Sequence, residues 1–247
     1  MQLRGNRLLL IVYRRELRGF FHTPVGYVFN GVFLGLSGAL FFMSNLRPLS
    51  GELLLFLSQL TMLLMLLCPM LTMRLLCEER QKHTDQLLLT SPVSLAAIVW
   101  GKYFAAATVL LLGMLLTHIY VLIIGLYGVL YAGEWFVGYL GFALQGLSFL
   151  ALDLLVTGFA KNQVSAAIAA FAANLILWLL DLLVRYVPVG FVREALLFMS
   201  LYSRYEPFIL GQLSFASVLF FLTFITVCVT AALRWLDSRR FAKGAGA

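Results

Sequence analysis

Charged residues make up only 12% of this 247-residue chain, and acidic ones number just 11, while 62% are hydrophobic. A soluble domain of this length cannot hide so much apolar surface and still present a polar skin. The shortage of charge therefore excludes a soluble protein and makes the chain an integral membrane protein. Cysteine is equally sparse: Cys68, Cys77 and Cys228 lie in or beside apolar runs, with no paired or metal-binding spacing. They read as small packing residues. His22, His83 and His118 are scattered and also lack the spacing of metal ligands.

Signals for catalysis are missing too. Gly-x-Ser-x-Gly does not occur, and no cluster of Ser, His and Asp suggests a nucleophile. Gly101-Lys102 looks like the end of a phosphate-binding loop, but Ala96 stands where glycine is required and Tyr103 where Ser or Thr is required. The chain does not bind ATP by that route. No residue set calls for a metal or cofactor on this chain, and an enzyme is not expected. The net charge of +7 would suggest nucleic acid for a soluble protein. Here its distribution along the chain matters more, and no nucleic-acid partner is expected.

What the chain has is long apolar runs. A spanning helix needs about 20 mainly apolar residues. Six stretches qualify, near Gly26–Asn45, Leu53–Leu76, Gly101–Ile124, Phe136–Phe159, Val164–Leu183 and Leu213–Trp235. The expected fold is an all-α polytopic membrane protein, a single transmembrane domain over 1–247. Spans four and five are separated only by Ala160-Lys161-Asn162-Gln163, which predicts a tight helical hairpin. Ahead of the spans, residues 1–25 predict an interfacial helix. Arg4, Arg7, Arg14, Arg15 and Arg18 share one arc, with Leu9, Leu10, Val12, Tyr13, Leu17, Phe20 and Phe21 over the rest. Two residues break the pattern: Ile11 sits among the arginines, and Glu16 sits in the apolar arc.

Six spans put both termini on one side. Fourteen of the 18 basic residues fall there, from Arg4 through Arg74, Arg80, Lys82, Lys102 and Lys161 to Lys243. Only Arg47, Arg185, Arg193 and Arg204 fall opposite. By the positive-inside rule both termini and the 77–100 loop are expected in the cytoplasm. The longest connection on the other side, 184–212, carries "FVREALLFMSLY" between Pro188-Val189-Gly190 and Pro207. It is too short to cross and reads as an external re-entrant or amphipathic helix.

Two carboxylates fall inside spans. Asp181 lies toward the outer end of span five, where an interface-level residue near Arg185 is the ordinary reading. Asp153 is deeper in span four, so it is a functional candidate by default. It can pair with another helix, stay protonated or line a polar cavity, and Asn174 and His118 are its candidate partners. Neither aspartate has the Gly-x-Gly-Asp flank of an intramembrane aspartyl protease.

The string "MRLLCEERQKHTDQLLLTSPVSLAAIVWGKY" resembles the signature of ABC-2 type transporter permeases, most closely their gliding-motility-type branch. "YRRELRGFFHTPVGYVF", "KNQVSAAI" and "LRWLDSRR" extend the likeness over nearly the whole chain. The resemblance implies a permease of the bacterial inner membrane, in which two six-span subunits pair as a homo- or heterodimer. It also implies a cytoplasmic ABC ATPase as partner, with ATP and Mg bound there and not on this chain. A short coupling helix would dock on that ATPase, placed here at about Asp85 to Leu89. Thr84 suits its N-cap, Asp85 and Gln86 its first turn, and Thr90-Ser91-Pro92 its end. Leu87, Leu88 and Leu89 then form an apolar knob that a partner would cover. The family usually has glutamate at Gln86 and glycine at His83. Glu78 and Glu79 match it, and either can bond Arg14, Arg15 or Arg18 of the first helix. Two roles follow from the likeness: a solute exporter, or a scaffold that transmits force to an envelope machine.

Overall fold

The computed structural model describes residues 2–77, 94–127, 131–184, 190, 193–194, 197 and 200–244. These residues are helical almost throughout. The elements are α1 (Gln2–His22), α2 (Val25–Phe41), α3 (Leu53–Thr72), α4 (Leu95–Leu116), α5 (His118–Tyr127), α6 (Ala132–Thr157), α7 (Gln163–Val184), α8 (Leu201–Ile209) and α9 (Phe215–Gly244). Among the described residues six helical stretches are long and apolar enough to cross a bilayer: Val25–Leu46, Leu53–Thr72, Leu95–Tyr127, Ala132–Thr157, Gln163–Val184 and Phe215–Ser238. The bilayer leaves an exposed backbone no water to bond, so helices are the natural solution for such sequences.

The boundaries differ from the sequence expectation for local reasons. Span one runs on to Leu46 through a π-helical turn, Phe42–Leu46, in which Arg47 N–H reaches Phe42 O at 2.8 Å. Span three begins at Leu95, six residues before Gly101, because the Ser94 hydroxyl accepts from Ala97 N–H and caps the first turn. It is broken at Thr117, whose hydroxyl donates to Met114 O at 2.7 Å, and α5 then continues the same span. Span six continues past Trp235 as one helix to Gly244, carrying the basic tail with it.

α6 is the centre of the bundle. It packs against α3, α4, α7, α8 and α9, and 67% of its spanning window is buried, against 17% for α7. Small residues permit this crowding, as they do generally between membrane helices. At Gly141 a Cβ would stand 2.4 Å from Phe208 Cβ, so only glycine lets α8 close onto α6. Leu201, Tyr205 and Phe208 make the buried face of α8, against α3, α6, α7 and α9. Most of the expected helix "FVREALLFMSLY" lies outside the described residues; α8, packed into the bundle, begins at its last two residues and runs through Pro207. Burial pushes the Tyr205 phenol up from its usual range, partly offset by a hydrogen bond with Thr61.

Candidate functional site

The end of the bundle that carries both termini is built around α1. Gly101 lies in the second turn of α4, and a Cβ there would meet Val12 Cγ1 at 2.9 Å and Leu9 O at 3.3 Å. The missing side chain is the seat for α1, which accounts for a glycine that no phosphate loop explains. One residue on, the Lys102 side chain is only 2% exposed, and its ammonium donates to Glu16 Oε1 at 3.1 Å. Glu16 also takes a hydrogen bond from Arg15 at 2.9 Å. The residue that breaks the apolar arc of α1 is therefore a counter-charge to a buried lysine. An ammonium out of water is costly without such a partner.

Other contacts hold α1 in place. Tyr13 and Thr108 join hydroxyls at 3.1 Å, and Phe20 is buried. The Arg74 guanidinium, on the far side of the 78–93 stretch, donates to Thr23 Oγ1 at 2.5 Å. Thus α1 and its exit turn grip both flanks of that stretch: Arg74 before it and Gly101-Lys102 after it. Arg14, Arg15 and Arg18 remain exposed on the opposite face. The expected docking residues Thr84, Asp85, Gln86, Leu87, Leu88, Leu89, Thr90 and Pro92 lie outside the described residues, as do Glu78 and Glu79 and any bond from them to the arginines.

The preceding flank is also tied to the α6–α7 turn. Cys77 Sγ lies 3.3 Å from Thr157 O and 3.7 Å from Ala160 O. All three cysteines are buried thiols outside any disulfide, as packing residues should be. Trp235 of α9 donates its indole N–H to Gly158 O at 3.2 Å, and its ring tilts against Phe159 at 4.4 Å. Within the same turn Asn162 Oδ1 accepts from Ser165 N–H at 2.8 Å and starts α7. Trp235 of "LRWLDSRR" thus packs on the turn that leads into "KNQVSAAI".

Deeper in the membrane, Asp153 and Asn174 are both fully buried, and Asn174 Nδ2 donates to Asp153 Oδ1 at 2.9 Å. The same amide reaches Met65 O at 3.4 Å. That carbonyl is free because Pro69, four residues on in α3, has no N–H to give it. The proline in span two was the overlooked signal for this contact. His118 is not part of the pair. It lies at the other end of α4, with Nδ1 3.1 Å from Met114 O and its ring 4.1 Å from Tyr139. Helical periodicity placed it on a face but not at the right depth. Asp181 caps α8: it accepts from the Ser200 hydroxyl and, at 3.3 Å, from Tyr202 N–H. Arg185 lies outside the described residues. Among the described residues no group of three or more His, Cys, Asp or Glu could hold a metal.

The family model described as "ABC-2 family transporter protein" matches residues 31–177, more than half of the chain. The chain belongs to the ABC-2 transporter family. As an ABC-2 permease it is a membrane component, in a family that typically lacks catalytic activity of its own and generally pairs with ABC ATPases. No curated protein matches the chain. The matched stretch runs from α2 into α7, so it holds Arg74, Gly101, Lys102, Asp153 and Asn174. It leaves α1 outside, and the Glu16–Lys102 pair joins the permease core to a helix beyond the match.

Proposed function

We propose that this ABC-2 permease is an exporter subunit that converts nucleotide-driven motion of a separate cytoplasmic ATPase into movement of its spans. Both termini and the 78–93 stretch would face the cytoplasm of a bacterial inner membrane, as the basic residues favour. The observation that carries the reading is the grip of α1 on both flanks of that stretch. A push on the 78–93 stretch from below reaches α3 through Arg74 and α4 through Lys102, with α1 between them as a lever. Asp85 to Leu89 would be the docking helix, with Leu87, Leu88 and Leu89 as its apolar contact. The single transmembrane domain would pair with a second copy or a related permease. α7, the least buried span, is the natural surface for that pairing, since Val164, Ile168, Ile176 and Leu183 stand exposed along it.

Affinity purification from membranes tests the docking. Replacing Leu87, Leu88 and Leu89 with glutamate should abolish ATPase co-purification while membrane insertion persists. Unchanged co-purification sinks the reading.

The gliding-motility-type likeness of "EERQKHTDQLLLTSP" favours a second reading, a scaffold that passes force to an envelope machine. The two differ in flux. In vesicles the exporter moves solute with ATP turnover, whereas the scaffold turns over ATP without flux.

A further inference from the structure

Two buried oxygens of the intramembrane pair have no hydrogen-bond partner: Asp153 Oδ2 and Asn174 Oδ1. The amide of Asn174 has spent both its N–H groups, one on Asp153 Oδ1 and one on Met65 O. Nothing on the amide is left to donate, and both orphans are acceptors. A buried acceptor without a donor is costly, and two in one side-chain pair point to a missing positive hydrogen. A proton on Asp153 Oδ2 supplies it, because a carboxylic acid and a primary amide are complementary, each donating to and accepting from the other.

A cavity also comes within about one helical turn of the pair, although neither Asp153 nor Asn174 lines it. With about 30 Å³ of room for water, it lies among α3, α6, α7 and α8, lined by Thr61, Met65, Gln145, Trp178, Asp181 and Tyr202 among others. That is enough for a water molecule at a polar site. Gln145 Oε1 is buried there without a partner, an acceptor awaiting such a water. Asp181 lines the cavity at the end of the bundle opposite the termini. Met65, which also lines it, is the residue whose carbonyl Asn174 contacts, and Leu177 and Trp178 stand one turn beyond Asn174 on α7.

We propose that Asp153 and Asn174 form an intramembrane proton-binding site that water reaches from the end opposite the termini. The carboxylate takes a proton from cavity water onto Oδ2, shares it with Asn174 Oδ1 and returns it by the same path. Among the described residues no lysine or arginine bonds to Asp153. The titratable side chain within electrostatic reach is Cys68 of α3, next to which stand Tyr103 of α4 and Cys228 of α9. Asp181 of α7 is the carboxylate at the cavity's far end. The site stands apart from the ATPase docking, and either can fail without the other.

Infrared spectroscopy of the full chain in phospholipid nanodiscs, at neutral pH and without sodium, tests it. The expected result is a protonated-carboxyl C=O band that disappears in Asp153→Asn and moves to higher frequency in Asn174→Leu, where the acceptor is gone. The band should also shift on transfer to D2O, as water access requires. Should Asp153→Asn not fold, Asp153→Glu keeps the test alive by displacing the band. Spectra identical in wild type and Asp153→Asn would overturn the proposal. So would loss of the band on adding sodium at constant pH, which would assign the oxygens to an alkali cation. A band insensitive to D2O would contradict the water path.

Discussion

Lys102 of α4, almost wholly buried, meets Glu16 of α1 at 3.1 Å across a contact that Gly101 leaves open for α1. The pair is asymmetric: the lysine side chain is 2% exposed and the glutamate 18%. Removing the carboxylate takes a counter-charge from an almost wholly buried lysine, whereas removing the ammonium leaves a carboxylate that still has Arg15. Glu16→Ala is therefore expected to cost about 3 kcal/mol, near the lower end for a broken buried pair, and Lys102→Met about 1 kcal/mol or less. Thermal unfolding in nanodiscs measures both. Equal losses would show that Glu16 is not the counter-charge.

Gly101→Ala should loosen α1 by a steric route, since the new Cβ would fall 2.9 Å from Val12 Cγ1. Overpacking of this kind costs about 1–3 kcal/mol. Val12→Ala removes that methyl and should restore part of the loss, leaving the approaches to the residue-12 Cβ at 3.1 Å and to Leu9 O at 3.3 Å. Protease cleavage within α1 reads the outcome: faster in Gly101→Ala and slower again in the double variant. A cleavage rate unmoved by Gly101→Ala would mean that α1 does not sit on α4.

Much of this end of the bundle was legible in the chain, and the misses have physical causes. Hydrocarbon thickness sets span length, so six runs of apolar residues announced six helices. The apolar run read as span three starts at Gly101, six residues beyond the capped start at Leu95, because the Ser94 cap that begins the helix lies ahead of that run. Glu16 looked like a flaw in an amphipathic pattern because that pattern gives one helix's faces, not its neighbour's buried lysine. Asp153 and Asn174 were recognisable as partners from their polarity and rough depth. His118 was not excluded, since helical spacing fixes depth only once the tilt and breaks of each span are known. The break at Thr117 and the proline-freed carbonyl of Met65 belong to tertiary structure.

Asp181→Ala should release the start of α8 rather than disturb the spans. It removes the acceptor for the Ser200 hydroxyl and for Tyr202 N–H, a loss worth about 0.5–2 kcal/mol for an N-terminal cap. Hydrogen exchange is expected to rise over residues 201–204 and stay level in α6. Uniform exchange changes would argue against a local cap.

Trp235→Phe keeps a ring against Phe159 but deletes the indole donor to Gly158 O. The expected cost is about 1 kcal/mol, with faster exchange confined to the α6–α7 turn. No change there would mean that water replaces the indole without penalty.

In the proposed function α1 transmits ATPase motion to the spans through Glu16 and Lys102. ATP turnover of the assembled permease–ATPase complex, compared for wild type, Glu16→Ala and the charge-swapped Glu16→Lys/Lys102→Glu, tests it most directly. Glu16→Ala is expected still to co-purify with the ATPase but to turn over ATP several-fold more slowly, and the swap to recover part of the rate. Wild-type turnover in Glu16→Ala, with the ATPase bound, would contradict it.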